Sequence, residues 1–501
     1  MPTSIQSKMM RGALWMVLFK LLDRSLGFIS TLILVRLLLP ADFGIVAMGL
    51  SFVFMAEVLC SFGFDIALIQ NPDATEEHFH SAWTCNVILG SVSTVLLLAL
   101  AWPVAQFYGQ PEVFAVLAGL AFGPLFASLE NIGIVKFRKD LQFRKEFTFR
   151  ASRRILAFAV TLPLAFWLRN YWALVAGILA SKLGGSILSY VAQDFRPRFC
   201  MTKARELFRF SKWMLISNVA IFLRDRSADF FVGRLHGPAA LGVYNISYEV
   251  SNMATVELSA SINRALLPSF AKIDDADELR RTYANAMSVL AMIALPAAAG
   301  IFAVAPFLVP IVLGVNWIAA TGLIEIIAFN GVLLLFQSSI CSILIARGFP
   351  DLVAKSHGFY VVVMLVLMVS LGTPMGANMG VNGIAWAVLG TAVLLTPLYL
   401  YLLKQKLGVE AIVFLRATIR PVLAACSMAV IVRILLPAYA PVMSTQHTVG
   451  WLAAGVATGV AVYVVGIAVF WALAGRPAGA ETLVFQRVWN AVKWRWSNRA
   501  K

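Results

Sequence analysis

Between Trp15 and Met48 the chain reads WMVLFKLLDRSLGFISTLILVRLLLPADFGIVAM, an apolar run long enough to cross a bilayer. It nevertheless carries Lys20, Asp23 and Arg24 in its first half. Ionisable groups are expensive in hydrocarbon, so in a membrane helix they face a bundle interior or a wet cavity. Lys20 and Arg24 lie one helical turn apart, and Asp23 and Gly27 share that spacing. A helix here therefore has one polar face while the rest suits lipid or protein.

The pattern returns about two hundred residues later. Trp213-Met214 repeats Trp15-Met16, Arg234-Leu235 repeats Arg36-Leu37, Pro238-Ala239 repeats Pro40-Ala41, and Gly242 repeats Gly44, all at an offset of 198. Asp23-Arg24-Ser25 returns as Asp225-Arg226-Ser227 at offset 202. That slip of four residues is about one turn, which keeps the charges on nearly the same face. The chain reads as two homologous halves, each opening on a charged-faced helix, a plan many secondary transporters share.

Of 501 residues 60% are hydrophobic and only 13% charged, where a soluble domain would carry about 25%. The chain is thus expected to be a polytopic membrane protein. Its five cysteines are scattered without ligand spacing and read as buried thiols, so neither a disulfide framework nor a metal site is expected. The N-terminus lacks a cleavable signal pattern, and its apolar segment reads as a first span.

Apolar windows bounded by polar or Pro/Gly turns predict fourteen spans. The first eight lie near 13–37, 43–69, 82–104, 113–134, 151–168, 171–192, 212–235 and 241–268. The rest lie near 286–309, 317–345, 356–373, 380–403, 416–439 and 448–474. With a cytoplasmic N-terminus, 31 of the 41 Lys and Arg residues fall on the inner side. This asymmetry predicts both termini in the cytoplasm, and it directs the net charge of +16 to the anionic leaflet, not to nucleic acid. The expected fold is all-α: a six-helix lobe in 1–195, a second in 196–405, two added helices in 406–475, and a basic, Trp-rich tail in 476–501. Six spans per half would relate the lobes by an axis along the membrane normal, with a cleft between them.

Several groups of residues are candidates for chemistry. Arg224, Asp225, Arg226 and Asp229 give the second charged helix a face like that of Lys20, Asp23 and Arg24. Guanidinium groups in a cavity would engage an anionic substrate, since Arg binds phosphate oxygens bidentately. The bland alternative is Arg–Asp pairs joining helices. Arg264 either lines a cavity mouth or snorkels to the interface. Carboxylates within spans, among them Glu57, Asp65, Glu130, Glu249, Glu257 and Glu325, could carry a proton or sodium ion or could bond neighbouring helices. Asp23, Asp225, Asp229, Glu249 and Glu257 are the ion-coupling candidates. The segment KFRKDLQFRKEFTFRASRR at 136–154 reads as a helix lying on the anionic leaflet. His78 and His80, with Glu76 and Glu77, read as a solvated loop. No catalytic motif, phosphate-cradling loop or cofactor signature is present.

The segments RLLLPADFGIVAMG (36–49), GFDIALIQ (63–70), FRKDLQFRKEF (137–147), FSKWMLISN (210–218) and GRLHGPAALGVYNISYEV (233–250), in this order, make the chain similar to the polysaccharide transporter family of the multidrug/oligosaccharidyl-lipid/polysaccharide exporter superfamily. The resemblance covers nearly the whole chain. It implies twelve core helices plus two. It also implies transport of undecaprenyl-diphosphate-linked oligosaccharide, as in O-antigen, exopolysaccharide and colanic-acid flippases, across a bacterial inner membrane. H+ or Na+ coupling and association with a polysaccharide polymerase or copolymerase are further implications. Lys20, Arg24, Arg224, Arg226 and Arg264 would neutralise the diphosphate during transit. Two rivals remain. A multidrug cation antiporter would want carboxylates and not surplus Arg in its cavity. A membrane-embedded glycan ligase or glycosyltransferase would want a large extramembrane loop, and no outer connection exceeds about a dozen residues.

Overall fold

The computed structural model describes residues 5–60, 62–273, 275–437 and 445–475. Within its helices the side chains of 5–14, 17, 209–217, 220, 254, 256–269, 271, 272, 276 and 445 lie outside the described residues. Among the described residues the structure is helical with no strand. The helices are α1 (Ile5–Leu37), α2 (Pro40–Cys60), α3 (Phe64–Gln70), α4 (Glu76–Tyr108), α5 (Glu112–Leu120), α6 (Phe122–Ser128), α7 (Val135–Lys139), α8 (Phe143–Leu168), α9 (Trp172–Ala192) and α10 (Ala204–Lys272). They continue as α11 (Ala276–Val312), α12 (Ala320–Ala346), α13 (Pro350–Gly372), α14 (Gly380–Leu407), α15 (Ala411–Leu435) and α16 (Thr445–Leu473).

Ten described helices are long and apolar enough to cross a membrane, and an eleventh joins them if the bent stretch Glu112–Ser128 plus Ile132–Lys139 counts as one span. The chain is therefore a multi-pass membrane protein. Fourteen spans are not all recovered by that test. One reason is charge: the last eighteen residues of α1 hold Lys20, Asp23, Arg24 and Arg36.

The chain divides into two compact units, 1–243 and 244–501. In the first, α1 packs along α8, α8 on α9, and α2 against α4 and α5. Asp42 organises one end of this unit. Its carboxylate accepts the Leu39 N–H at 2.9 Å, capping α2 behind Pro40, and the Tyr171 N–H at 3.1 Å, which ties α2 to the start of α9.

α10 is broken at Gly237, whose φ of 80° and ψ of −177° belong to a region that essentially only glycine occupies. Pro238 follows and restarts the helix. Close to this break a reciprocal contact joins α10 to α2. A Cβ on Gly44 would overlap the Pro238 carbonyl, and a Cβ on Gly242 would overlap the Pro40 carbonyl. Gly44 and Gly242, like Pro40 and Pro238, are partners in the 198-residue repeat, so each copy offers its glycine to the other's proline.

In the second unit α11 is packed by α12, α15 and α16, and α14 by α12 and α13. The α11–α15–α16 core uses Ala299, Ala303, Ala424, Ala425, Met428 and Ala429, with Tyr463 and Ile467 from α16. Lipid tails are as apolar as these side chains, so small residues that let helix backbones approach do more here than added apolar area. The second arm of α10 is fastened to α12 by Ser247 and Ser251, whose hydroxyls donate to the carbonyls of Ala320 (3.5 Å) and Ile324 (3.3 Å).

Two expectations from the sequence change, on the basic segment and on the cysteines. Residues 143–154 are not a helix apart from the bundle but the first three turns of α8, continuous with a candidate span. One of the two added helices, α15, carries a charge into the bundle: Arg433 is paired with Glu325 of α12 and donates to the Phe302 carbonyl of α11 at 3.1 Å. Of the five cysteines, Cys85 and Cys341 are buried, Cys60 and Cys200 are partly buried, and Cys426 is exposed.

Candidate functional site

Two groups hold the charged residues of the described parts of α1 and of the first arm of α10. The first lies where α1 meets α8. Trp15 and Phe19 of α1 pack on Phe147 of α8 with ring centroids 5.0 and 6.5 Å apart, and the Arg150 guanidinium stands 5.8 Å over the Phe19 ring. This packing turns the polar face of α1 toward the basic turns of α8. Asp23 accepts from Arg154 Nε at 3.0 Å. Arg154 has room because position 27 is glycine: a Cβ there would stand 2.6 Å from its Nη2. Lys20 and Arg24 are half-buried on the same helix. In this group the Arg–Asp pair does join two helices, and the partner that the sequence does not reveal is Arg154.

The basic segment that resembles a membrane-surface helix is largely consumed inside the protein. Lys136 stands over the rings of Phe79 (5.2 Å) and Phe195 (4.7 Å). Arg138 lies 3.5 Å from Asp65 and 3.4 Å from Glu146, and Arg150 lies 2.8 Å from Glu146. Lys139 donates to the Asn71 carbonyl at 2.9 Å, and Arg153 to Glu130 at 3.3 Å. Phe137 and Phe149 are buried. Phe147 is half-buried against Trp15 and Phe19, so three of the segment's aromatic residues meet protein. Their spacing fits neighbouring helices as well as it would fit a bilayer surface, and sequence alone does not distinguish the two.

The second group belongs to α10 and the helices it meets, α2 and α4. Arg224 Nε donates to Asp225 at 2.8 Å. Arg226 Nη1 donates to Asp229 Oδ2 at 3.1 Å, one turn along, and its guanidinium lies 4.6 Å from the Phe54 ring of α2. Asp225 is exposed, whereas Asp229 is only 3% exposed. Beside Asp229 the ring of Tyr108, the last residue of α4, rests on Gly233, where a Cβ would stand 2.8 Å from Cε1. Phe52 meets that ring edge-on at 6.0 Å and itself packs edge-on against Phe230 of α10 at 5.3 Å. Charge marks Arg226 and Asp229 in the sequence, but nothing there marks Tyr108, Ser51 or Phe54, which carry no formal charge and lie far away in the chain.

The carboxylates proposed as lone ion carriers mostly have partners. Glu57 bonds Lys182 at 2.9 Å, Asp65 faces Arg138, Glu130 bonds Arg153 and Glu325 bonds Arg433. Glu249 is exposed in the second unit. The side chains of Glu257 and Arg264 lie outside the described residues.

His78 and His80 are not in a solvated loop. They open α4: His78 is buried and its Nδ1 accepts the Thr75 N–H at 3.1 Å, while His80 Nδ1 accepts the Arg198 N–H at 3.0 Å. Thr84 and Ser81 accept the N–H groups of Cys200 (3.0 Å) and Lys203 (3.2 Å). Together they strap the 193–203 linker across the end of α4. No group of three metal-ligating side chains occurs among the described residues.

A family model described as polysaccharide biosynthesis protein matches residues 33–322. The chain is 24% identical to the lipopolysaccharide biosynthesis protein WzxC of Escherichia coli (strain K12), over 76% of this chain and 78% of that one. It is 25% identical to the succinoglycan biosynthesis transport protein ExoT of Rhizobium meliloti (strain 1021), over 93% of each. Among solved structures the fold resembles the inward closed conformation of lipid II flippase MurJ, with a TM-score of 0.74 at 12% identity, covering 91% of this chain and 99% of that one.

Proposed function

Because the chain belongs to the polysaccharide biosynthesis protein family, we propose that it is a flippase moving undecaprenyl-diphosphate-linked oligosaccharide across a bacterial inner membrane. The observation that carries this reading is the surplus of guanidinium over carboxylate on the charged helices α1 and α10, in a protein otherwise built of apolar helices. A diphosphate needs cations along its route, and Arg supplies them without losing charge at any working pH. A relative named as a transport protein over 93% of its length, and a fold shared with a protein named as a lipid flippase, support the same reading.

In this proposal Arg24, Arg224, Arg226 and Lys20 meet the diphosphate in turn, with Arg264 a further contact. Transport proceeds by alternating exposure, coupled to H+ or Na+ through a carboxylate among Asp23, Asp225, Asp229, Glu249 and Glu257. Both termini lie in the cytoplasm, the basic tail meets anionic lipid, and a polysaccharide polymerase receives the product. The lobes comprise 1–195 and 196–405, with α15 and α16 added.

The test is a host deleted for this gene. Loss of surface polysaccharide with undecaprenyl-linked repeat units accumulating on the cytoplasmic side supports the proposal. Intact export together with raised sensitivity to cationic drugs overturns it in favour of a drug exporter.

A further inference from the structure

Two ion pairs of the first unit have no part in the route described above. Glu57 of α2 meets Lys182 of α9 at 2.9 Å, and Arg153 of α8 donates to Glu130 at 3.3 Å. Glu130 stands in the break between Ser128, the end of α6, and the turn Ile132–Ile134, where the chain bends by 59°. Its neighbour Asn131 is held to α9 by the Ser189 hydroxyl, which accepts the Asn131 N–H at 2.8 Å. The stem of Arg153 crosses α9 at Gly185, where a Cβ would stand 2.6 Å from its Cδ. Lys182 and Gly185 are three residues apart, and such positions lie about 5–6 Å from each other on a helix surface. One face of α9 thus gathers both pairs. That face is turned from lipid, because the exposed apolar residues Leu183, Ile187 and Val191 lie on the other side of the helix. Lys182 stands midway along a candidate span, at a depth where an ionisable group needs protein or water around it. Even so, Glu57 and Glu130 are each 29% exposed, Lys182 31% and Arg153 41%.

We propose that Glu57, Lys182, Glu130 and Arg153 form a glycan-binding surface, which takes hydroxyl groups of the oligosaccharide while the surplus cations elsewhere take the diphosphate. This rests on the reading of the chain as a carrier of lipid-linked oligosaccharide. The charges of the four groups cancel, and each cation already faces a carboxylate, so an anion gains little here. Sugar hydroxyls suit the surface better. Each is donor and acceptor at once, and can bridge a carboxylate oxygen and a cationic N–H. The pairs have capacity to spare: a carboxylate offers about four acceptor sites, and ammonium and guanidinium groups offer several donors each. Hydroxyls can therefore bind while both pairs stay formed and the helices stay joined. Arg154, the next residue of α8, holds Asp23, so the surface adjoins the contact between α8 and α1, the helix that carries Lys20 and Arg24. Polar groups placed for a ligand's hydroxyls discriminate strongly against a ligand that lacks them, because they are then left without partners.

The test uses the full chain in lipid nanodiscs and two probes. One is undecaprenyl diphosphate, and the other is the undecaprenyl-linked repeat unit extracted from the host deleted for this gene. Wild type is expected to bind the glycosylated probe about tenfold or more tighter than the bare one. Glu57→Met combined with Lys182→Met removes one pair whole, so that no charge is left unpaired, and Glu130→Met combined with Arg153→Met removes the other. Each double variant should lose about tenfold in affinity for the glycosylated probe and nothing for the bare lipid. A second measurement needs no variant and carries the test if these do not fold. Reductive methylation of Lys182 in wild type, followed by mass spectrometry, should be slowed by the glycosylated probe and not by undecaprenyl diphosphate. Equal wild-type affinity for the two probes, equal losses for both in the variants, or unchanged binding of the glycosylated one overturns this proposal and leaves the flippase reading standing. So does methylation that neither probe slows, or that both slow alike. Failure of wild type to bind either probe overturns both.

Discussion

Asp23 and Asp229 come from corresponding charged helices of the repeat, and the protein uses them in opposite ways. Asp23 reaches across to Arg154 on another helix, with both side chains more than two-fifths exposed. Asp229 pairs within its own helix and is almost fully buried, although its partner Arg226 is not. The first arrangement is a strut between helices, and moving its arginine would loosen α1 from α8. The second is a pair within one helix, whose arginine also lies over the Phe54 ring of α2. Similar sequence thus supplies a joint between two helices in one copy and a pair within one helix in the other, and the difference lies in which helix stands opposite.

The sharpest way to break this contrast is Arg226→Ala. A charge-assisted hydrogen bond contributes about 1.5–3 kcal/mol, so losing it from the substrate path should lower export by about tenfold or more. Protein level in the membrane should be unchanged. Surface polysaccharide measured beside immunoblotted protein checks both, and normal export would remove Arg226 from the transport path. Gly44→Val attacks the reciprocal contact that anchors α2 to α10. The added side chain has nowhere to go against the Pro238 backbone, and about 1–3 kcal/mol of overpacking should appear as a lower melting temperature of purified protein.

The strut is tested by reversal. Asp23→Arg and Arg154→Asp should each lower thermal stability by about 1 kcal/mol, small because both groups are half-exposed. The double reversal should recover most of the loss. No such rescue is expected for export when Arg226 and Asp229 are exchanged, because in the proposed route the diphosphate meets a cation at position 226. The smallest effect is a labelling rate. The Thr202 hydroxyl and backbone hold the Cys200 thiol below its ordinary pKa, so its thiolate fraction begins to rise at lower pH than that of an ordinary cysteine. A membrane-impermeant maleimide should label Cys200 from the cytoplasmic side of inverted vesicles and not from outside intact spheroplasts. Labelling from outside would reverse the proposed topology.

Much of the fold class is legible in the amino acids alone. Long apolar windows and their spacing are local properties, and α2, α4, α9 and α11 to α16 stand close to where hydropathy predicts them. The charged faces of α1 and α10 are legible too, since helical spacing puts Lys20 beside Arg24 and Arg226 beside Asp229. The basic segment at 136–154 misleads because Phe147 and Phe149 are equally apt for a neighbouring helix or a bilayer surface. Arg433 gives little signal because its partner Glu325 lies more than a hundred residues earlier.

What the amino-acid sequence determined by itself was the medium and the inventory: helices suited to lipid, and cations too many to be accidental among them. Only the tertiary structure decided which cation answers which carboxylate, that Arg154 is taken by Asp23, and that Tyr108 rests on Gly233. Hydrophobicity acts on each residue against its surroundings and can be summed along a chain. An ion pair between helices exists only where two particular helix faces meet, and the Asp23–Arg154 pair joins residues 131 positions apart.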